Sequence, residues 1–378
     1  MKNLSADVAV VGGGVAGIAI AYQAARKGLK VVLFNREEFA VGASVRNFGM
    51  VWPIGQEPDA GLTLALRSRE IWLELSKRAG FWINPSGSLH LAHELDEVDV
   101  LHEFLSLYQR EFPEAKWLDP AQTLQRSSVV NPEKLRGALW SPTECVINSR
   151  EAIRRLPIWL GETYQVALRY GHLVREVDYP SVVTATEKWT ADQIYICSGA
   201  DFETLYPEHF AATTITKCKL QMLRTVPQPG NWNSGPALSA GLTLTHYGAF
   251  AHCPSLPALQ QRYNHQYPEH IEWGIHVMIS QNGLGEVTIG DSHEYGLVHD
   301  PFDREEINRL ILDYLQTFTQ LPAPAIAQTW NGTYAKLKGA SEIILQPENG
   351  VYIINALSGA GMTLSFGLAE EQVNSWLR

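Results

Sequence analysis

The stretch DVAVVGGGVAGIAIAYQAA, residues 7–25, decides what the N-terminal part of this chain forms. An apolar run leads into a cluster of glycines, and the run from Ile18 to Ala25 favours a helix. Three glycines match the spacing G-x-G-x-x-G: Gly12, Gly14 and Gly17. Between a strand and a helix this spacing predicts a dinucleotide-binding turn. The first glycine permits the tight turn, the second lets a pyrophosphate approach the backbone, and the third lets the helix pack closely on the sheet.

The anion of such a ligand rests on free N–H groups at the helix N-terminus, around Val15 and Ala16. The alternative is a buried β–α unit with a turn rich in glycine. The run Leu29–Phe34 predicts a buried parallel strand. Asn35 closes it, 18 residues after the last glycine of the motif, where an acidic residue usually holds the ribose hydroxyls. Asparagine can hydrogen-bond there without the charge, and Arg36 beside it would suit a ligand with a 2′-phosphate.

Composition excludes several classes of function. The chain has 378 residues, of which 45% are apolar and 19% charged, which predicts a globular protein of two or three domains. A net charge of −10 argues against nucleic acid or an anionic membrane as partner. The four cysteines show no metal-binding spacing, so we expect no metal site and a reducing, cytoplasmic setting. The run Val8–Ala25 is uncharged, but its glycines argue against a membrane span.

The far end of the chain repeats the strand–glycine–helix pattern. Gly350–Ala356 predicts a strand, a glycine-rich turn follows, and residues 362–378 predict a final helix with a second N-terminus for a ligand. Gln193–Cys197 is another apolar strand, and Ser198 and Gly199 after it predict a further approach to the dinucleotide.

The middle of the chain predicts a second group of elements. Trp273–Ile289 predicts two strands joined through Asn282-Gly283, and Asp303–Gln320 predicts an amphipathic helix. Thr213–Thr225 alternates in character, with Cys218, Leu220 and Met222 on one face and Lys217, Lys219 and Gln221 on the other.

Several motifs together resemble the glycine oxidase/D-amino-acid oxidase family of FAD-dependent oxidoreductases. Beside the glycine turn, they are GASVRNFGM (42–50), GSLHLA (87–92), YICSGA (195–200), the W-x-G segment at Trp330 and SGAGMTLSFGLAE (358–370). RNFGMVWPIGQ, CKLQMLRT and GDSHEYG are similar to a narrower clade that is associated with phosphonate breakdown.

The resemblance implies an α/β fold with two domains. A discontinuous, Rossmann-like FAD-binding domain, a parallel sheet with helices, would comprise residues 1–80, 145–205 and 328–378. A substrate-binding domain, a mixed β-sheet with helices, would comprise residues 81–144 and 206–327. No obligate protein partner is evident.

The resemblance also implies which residues hold FAD. Ser44, Arg46 and Asn47 would reach the pyrophosphate or the isoalloxazine, and Val174 the adenine. The helix after Gly361 would direct its positive end at the flavin pyrimidine edge. FAD would be non-covalent, because no cysteine follows Cys253. The residues expected to bind FAD are Gly12, Gly14, Val15, Ala16, Gly17, Asn35, Arg36, Ser44, Arg46, Asn47, Val174, Ser198, Gly199, Gly361, Met362, Thr363 and Leu364.

One departure from the family bears on the substrate. Relatives that oxidise amino acids bind the carboxylate with an arginine two positions after the W-x-G glycine, and Tyr334 stands there. Lysines lie nearby instead, and a lysine suits a tetrahedral phosphonate as a point charge. The residues expected to bind substrate are Lys219, Gln221, Trp330, Tyr334 and Lys336.

These features predict FAD-dependent oxidation of a small amine, an aminophosphonate, with O2 reduced to H2O2. The flavin performs the chemistry, so no catalytic residue is assigned. Two alternatives stay open: a glycine, sarcosine or D-amino-acid oxidase, and a flavin-binding subunit without its own turnover. The sequence does not rank the side chains that could line the pocket, which are His246, Tyr247, His276, His293 and Tyr295.

Overall fold

The computed structural model of the chain describes residues 2–58 and 60–377, which form twenty strands and eleven α-helices. The strands are β1 Lys2–Val11, β2 Val31–Asn35, β3 Met50–Val51, β4 Ile83–Asn84, β5 Ser88–Ala92, β6 Lys116–Leu118, β7 Gly137–Ser141, β8 Cys145–Ile147, β9 Ala167–Tyr170, β10 Glu176–Asp178, β11 Ser181–Val183, β12 Glu187–Ile196, β13 Thr216–Thr225, β14 Ala237–Ser239, β15 Met278–Gln281, β16 Val287–Gly290, β17 Glu294–Gly296, β18 Ile326–Lys336, β19 Ile343–Glu348 and β20 Val351–Asn355. The helices are α1 Val15–Arg26, α2 Ala60–Ala79, α3 Leu95–Leu107, α4 Pro120–Arg126, α5 Ser149–Tyr164, α6 Pro207–Ala211, α7 Gly241–Leu244, α8 Leu256–Gln266, α9 Pro268–Glu272, α10 Glu305–Phe318 and α11 Gly361–Trp376.

The first sheet has eight strands and is parallel at its centre. Its order is β10-β11-β12-β1-β2-β9, with β20 beside β12 and β19 beside β20. Strand β1 pairs in parallel with β2 and β12. Val8 and Val10 face a core shared with α1, α2, α5 and α11, whereas Ala9 faces a second core on the other side. Burial on both faces explains why residues 8–11 of β1 and 31–34 of β2 are apolar runs rather than alternating ones. The predicted α/β architecture is confirmed.

The second sheet has nine strands and is mixed. Its order is β17-β13-β16-β15-β14-β5-β7-β6, with β18 beside β13. Strands β5 and β14 pair in parallel, and the other neighbours are antiparallel. A large apolar core joins this sheet to α3, α8 and α10. The predicted hairpin through Asn282-Gly283 is present as β15 and β16.

The sheets divide the chain differently from the predicted domain boundary at residue 328. Strand β18 begins at Ile326 and pairs with β13 over its whole length, so residues 328–336 belong to the second sheet. The segment returns to the first sheet only at β19. The grouping of the segments into two domains stays a prediction.

Two further features bear on the setting of the protein. All four cysteines are free and buried. Among the helices of residues 2–58 and 60–377, none combines the length and the apolar character needed to cross a bilayer.

Candidate active site

The glycine turn has the tight geometry that its spacing predicts. Gly12 has φ +115°, and a Cβ there would lie 2.1 Å from the carbonyl oxygen of Cys197. A Cβ on Gly17 would lie 1.9 Å from the carbonyl oxygen of Gly12. A Cβ on Gly14 would meet only the Ser44 hydroxyl, at 3.0 Å, and would otherwise enter open space. Gly12 and Gly17 are therefore required by the protein itself, and Gly14 keeps the space beside the turn free.

Two side chains hold this turn in place. The Gly13 N–H donates to Asn35 Oδ1 at 3.1 Å, and the Val15 N–H donates to Ser44 Oγ at 2.9 Å. Asn35 Nδ2 donates to the Glu37 carbonyl at 2.8 Å. Asn35, expected at the ribose, thus also ties the end of β2 to the glycine turn.

A cavity of 620 Å³, the nucleotide cavity, lies against this turn. Arg36 lies on its wall in an ion pair with Asp201 at 2.8 Å. The expected FAD-binding residues that line it are Gly12, Gly14, Val15, Ala16, Asn35, Arg36, Ser44, Val174, Ser198, Gly199 and Gly361. Gly17 does not line it, because its place in the turn is to let α1 pack against the strand end.

A second cavity of 640 Å³, the reaction cavity, adjoins the first. The two share the wall residues Val15, Ala43, Ser44, Tyr334, Ser358 and Gly361. Arg46 and Asn47 line only the reaction cavity. The Arg46 guanidinium donates to the carbonyls of Val41 and Asn331, at 2.7 and 2.9 Å. It thereby fastens the loop of residues 41–49, which we call the Arg46 loop, to β18.

The N-terminus of α11 faces both cavities through Gly361. Its first turn holds no acidic residue and no side-chain cap, so its N–H groups remain available to a ligand. Met362 and Thr363 line the reaction cavity, and the Thr363 hydroxyl accepts a hydrogen bond from the Trp52 N–H at 3.0 Å. Leu364 is fully buried in the helical core and lines neither cavity, which corrects its expected contact with FAD.

The expectation for Lys219 and Gln221 is wrong, because β13 turns its other face to the reaction cavity. Leu220 and Met222 line the cavity, while Lys219 is 2% exposed on the opposite side of the strand. Its Nζ donates to the carbonyls of Asp300 and Phe302, at 2.9 and 2.7 Å. Gln221 Nε2 likewise donates to Arg304 and Asn308 at the start of α10. The alternation of β13 was read correctly, but the apolar face covers the cavity.

Two of the remaining expected substrate residues reach the cavity. Tyr334 and Lys336, on the same face of β18, both line it. Trp330 does not: its indole N–H donates to the Arg46 carbonyl at 3.2 Å. The guanidinium groups of Arg150 and Arg224 lie 5.0 and 5.4 Å from the centroid of its ring. Trp330 therefore supports the Arg46 loop and is corrected as a substrate contact.

Sequence reasoning did not single out the most polar wall of the reaction cavity. His246, His276 and His293 stack closely, with ring centroids 3.8 Å (246–276), 4.5 Å (246–293) and 5.1 Å (276–293) apart. Asp291 lies beside them, 3.3 Å from His276 Nε2 and 3.9 Å from His293 Nε2. We call these four residues the histidine cluster. Tyr247 also lines the cavity, whereas Tyr295 is exposed outside it.

Burial sets the charge state of the histidine cluster. It lowers the pKa of His276 well below the ordinary value and that of His293 to about 4. His246 is exposed to the cavity, but the surrounding protein still lowers its pKa well below the ordinary value, and the neighbouring histidines and Lys336 lower it further. Burial raises the pKa of the Asp291 carboxyl and lowers that of the Lys336 ammonium. The three imidazoles are therefore neutral at pH 7.

A signal for part of this cluster was present in the predicted hairpin. The register of the hairpin, continued past Gly290, pairs His276 with Ser292. A shift of one residue places it opposite Asp291 instead, and these two residues exchange backbone hydrogen bonds of 3.2 and 2.9 Å. The approach of His246, from the turn after α7, carried no local signal.

The adjoining cavities fit an extended dinucleotide such as FAD. Gly14 leaves free the space that a side chain would fill, and the N-termini of α1 and α11 both face the cavities, although the Val15 N–H of α1 already donates to Ser44 Oγ. The nucleotide cavity would hold the ADP portion, and the reaction cavity would hold the flavin ring and substrate.

Comparisons with known proteins agree with this geometry. The family model described as FAD dependent oxidoreductase (DAO) matches residues 7–373. The glycine oxidase of Geobacillus kaustophilus is 30% identical over 144 residues, which are 36% of this chain and 38% of that protein. The chain thus spans well under half the length of this curated relative in sequence.

Solved structures share the fold over the whole chain. L-proline dehydrogenase from P. horikoshii has a TM-score of 0.80 at 20% identity, covering 100% of this chain and 95% of that one. The structure of the G. kaustophilus glycine oxidase has a TM-score of 0.75 at 18% identity, covering 98% and 94%. L-α-glycerophosphate oxidase from Mycoplasma pneumoniae, solved with FAD bound, has a TM-score of 0.71 at 18% identity, covering 98% and 95%.

Proposed function

The chain belongs to the DAO family of FAD-dependent oxidoreductases, and from that premise we propose that it oxidises a small aminophosphonate. The substrate would be 2-aminoethylphosphonate or its N-methyl or hydroxy derivative. The amine, O2 and water would give the aldehyde, ammonia or the free amine, and H2O2. Oxidation of an amine is in keeping with the names of relatives such as glycine oxidase.

The cationic groups of the reaction cavity are the reason for proposing a phosphonate as the substrate. Lys336 lines the cavity, and its ammonium has no hydrogen-bond or ion-pair partner among the described residues. Among the described residues that line the cavity, Arg46 is the one arginine, and its guanidinium is bound to two backbone carbonyls. The planar guanidinium of Arg46, the group that would suit a carboxylate, is therefore already hydrogen-bonded to the backbone. The ammonium of Lys336 faces the cavity as a point charge, which suits a tetrahedral oxyanion.

The chain would act by positioning and by excluding water. FAD, when bound, accepts a hydride equivalent from the carbon that bears the amine. Lys336 and the hydroxyl of Tyr334 would hold the phosphonate, because both lie on the β18 face of the cavity. Leu220 and Met222 provide an apolar wall that keeps water from the reacting carbon. The N-terminus of α11 would stabilise negative charge that develops on the cofactor.

A pair of matched substrates tests the proposal. 2-Aminoethylphosphonate and β-alanine differ only in a phosphonate against a carboxylate, and glycine, sarcosine and L-proline complete the panel. We expect peroxide and aldehyde from the phosphonate, with kcat/KM at least about tenfold above that for β-alanine, the ratio that one charged hydrogen bond provides. Faster turnover of glycine or sarcosine would instead support the amino-acid oxidase alternative.

A further inference from the structure

The histidine cluster brings three metal-binding side chains together on one wall of the reaction cavity. One nitrogen of each of His246, His276 and His293 lies within 4.8 Å of the others. Around a single ion, with bonds of about 2.1 Å, donor nitrogens stand about 3.4 Å apart in a tetrahedral site. Binding one ion would therefore require the three rings, which stack with interplanar angles of 15–39°, to reorient toward it. The histidines are too far apart in sequence to form a local motif, which is why the sequence predicted no metal.

A hydrogen bond orients one member of the cluster, His293, in the way that metal sites require. His293 Nδ1 lies 2.9 Å from the Gly274 carbonyl oxygen. A carbonyl only accepts, so Nδ1 carries the proton and Nε2 keeps its lone pair. A second partner of this kind fixes the tautomer of metal-binding histidines. The free Nε2 of His293 is the nitrogen that faces Asp291.

The cluster contains buried polar atoms that the protein leaves without partners. His276 is 3% exposed and Asp291 is 5% exposed. His276 Nδ1 and Asp291 Oδ1 have no hydrogen-bond partner among the described residues. Asp291 Oδ1 is close to His276 Nε2, at 3.3 Å, but is not aligned for a hydrogen bond. Leaving such a group unpaired costs about 1–3 kcal/mol, so these two atoms favour a bound partner that the described side chains do not supply.

We propose that His246, His276 and His293 bind one divalent transition-metal ion at the wall of the reaction cavity, with the Asp291 carboxylate as its charge partner. Three imidazole ligands favour Zn²⁺ or a related first-row ion over Mg²⁺ or Ca²⁺, which prefer oxygen ligands. Three protein nitrogens leave a coordination position open toward the cavity. That position takes an oxyanion or water. Binding of a substrate phosphonate oxygen there rests on the proposed function, whereas metal binding itself does not.

The experiment measures metal on the FAD-loaded full chain without any substrate. The affinity tag is removed, the protein is dialysed against chelator, and Zn²⁺ is titrated by calorimetry with metal content measured after desalting. We expect saturation at one ion per chain. His276→Ala and His246→Ala should each weaken Zn²⁺ binding at least about tenfold, and Asp291→Asn by about 10–100-fold. His265→Ala, on an exposed helix face away from the cavity, is the matched control and should bind as the wild type does.

The flavin absorbance of each variant reports whether it is folded. If His276→Ala does not fold, His246→Ala decides, because its side chain is exposed on the cavity wall. No saturable Zn²⁺ uptake by the wild type, or equal affinity in the wild type and the folded variant, would overturn the metal site. Substrate turnover is not part of this readout, so the outcome is separate from that of the substrate panel.

Discussion

The nucleotide cavity and the reaction cavity are almost equal in volume and share a wall, but they are built in different ways. The nucleotide cavity is shaped by backbone: a glycine turn within a few residues, the ends of parallel strands and a helix N-terminus. The reaction cavity is shaped by side chains from distant segments, such as Arg46, His246, Asp291 and Lys336. A site shaped by the backbone can be recognised in the sequence as a short motif with regular spacing. A site formed by side chains from distant segments has no such motif.

The largest expected effect comes from a substitution in the glycine turn that shapes the nucleotide cavity. In Gly12→Val the new side chain would collide with the Cys197 carbonyl, 2.1 Å from the Cβ position, at a φ of +115°. We expect a colourless protein with a lowered melting temperature. Gly42→Ala is the matched control, because Gly42 lines the same cavity with nothing within 4 Å of its Cβ position. Flavin absorbance after desalting measures both, and a yellow Gly12→Val variant would contradict the proposed turn.

The next effect separates Lys336, which lines the reaction cavity, from Lys219, which lies on the opposite face of β13. Lys336→Met should raise KM for 2-aminoethylphosphonate by about 10–100-fold, the loss of one charged hydrogen bond, while FAD stays bound. Lys219→Met should leave KM unchanged and lower the free energy of unfolding by about 1–3 kcal/mol, because two backbone carbonyls lose their donor. Steady-state kinetics and urea unfolding measure the pair. A raised KM in Lys219→Met alone would reverse the assignment.

The same contrast explains what the sequence could and could not predict. The glycine turn, β2, the hairpin at Asn282 and the terminal helix were predicted because their signals are local. Lys219 was misplaced because alternation shows that a strand has two faces but not which face covers a cavity. Asp291 was missed because the hairpin register alone points to Ser292 as the partner of His276, and His246 joins them from a separate segment after α7.

A third prediction concerns the pH dependence of stability, which reports on His90, a buried histidine of the second sheet. His90, in β5, is buried beside Ser239, and burial lowers its pKa to about 3. The unfolded chain protonates His90 near pH 6.5, whereas the folded chain does not until about pH 3. Between these values the unfolded state holds more protons, so the free energy of unfolding falls as pH falls, by up to about 1.4 kcal/mol per pH unit.

Urea unfolding between pH 6.5 and pH 4.5 checks this contribution. His90→Gln removes the titrating group, so its stability should fall less steeply with decreasing pH than that of the wild type. His265→Ala, an exposed histidine, should keep the wild-type slope. Equal slopes for the wild type and His90→Gln would show that His90 is not held neutral by burial.

The smallest expected effect tests the tie between the loop and the glycine turn. Ser44→Ala removes the acceptor of the Val15 N–H hydrogen bond, which should weaken FAD binding by a few fold, since one such bond contributes about 1 kcal/mol. Ser375→Ala, near the end of α11, is the control. Fluorescence titration of the apoprotein with FAD measures both variants, and unchanged affinity in Ser44→Ala would remove this bond from cofactor binding.

Anaerobic mixing of the yellow protein with amines tests the central claim most directly, because the bound flavin is the only electron acceptor that it needs. The account predicts that 2-aminoethylphosphonate or its N-methyl or hydroxy derivative bleaches the flavin absorbance, and that β-alanine and glycine do so much more slowly or not at all. Bleaching by glycine but by none of the phosphonates, or no bleaching by any amine, would contradict it.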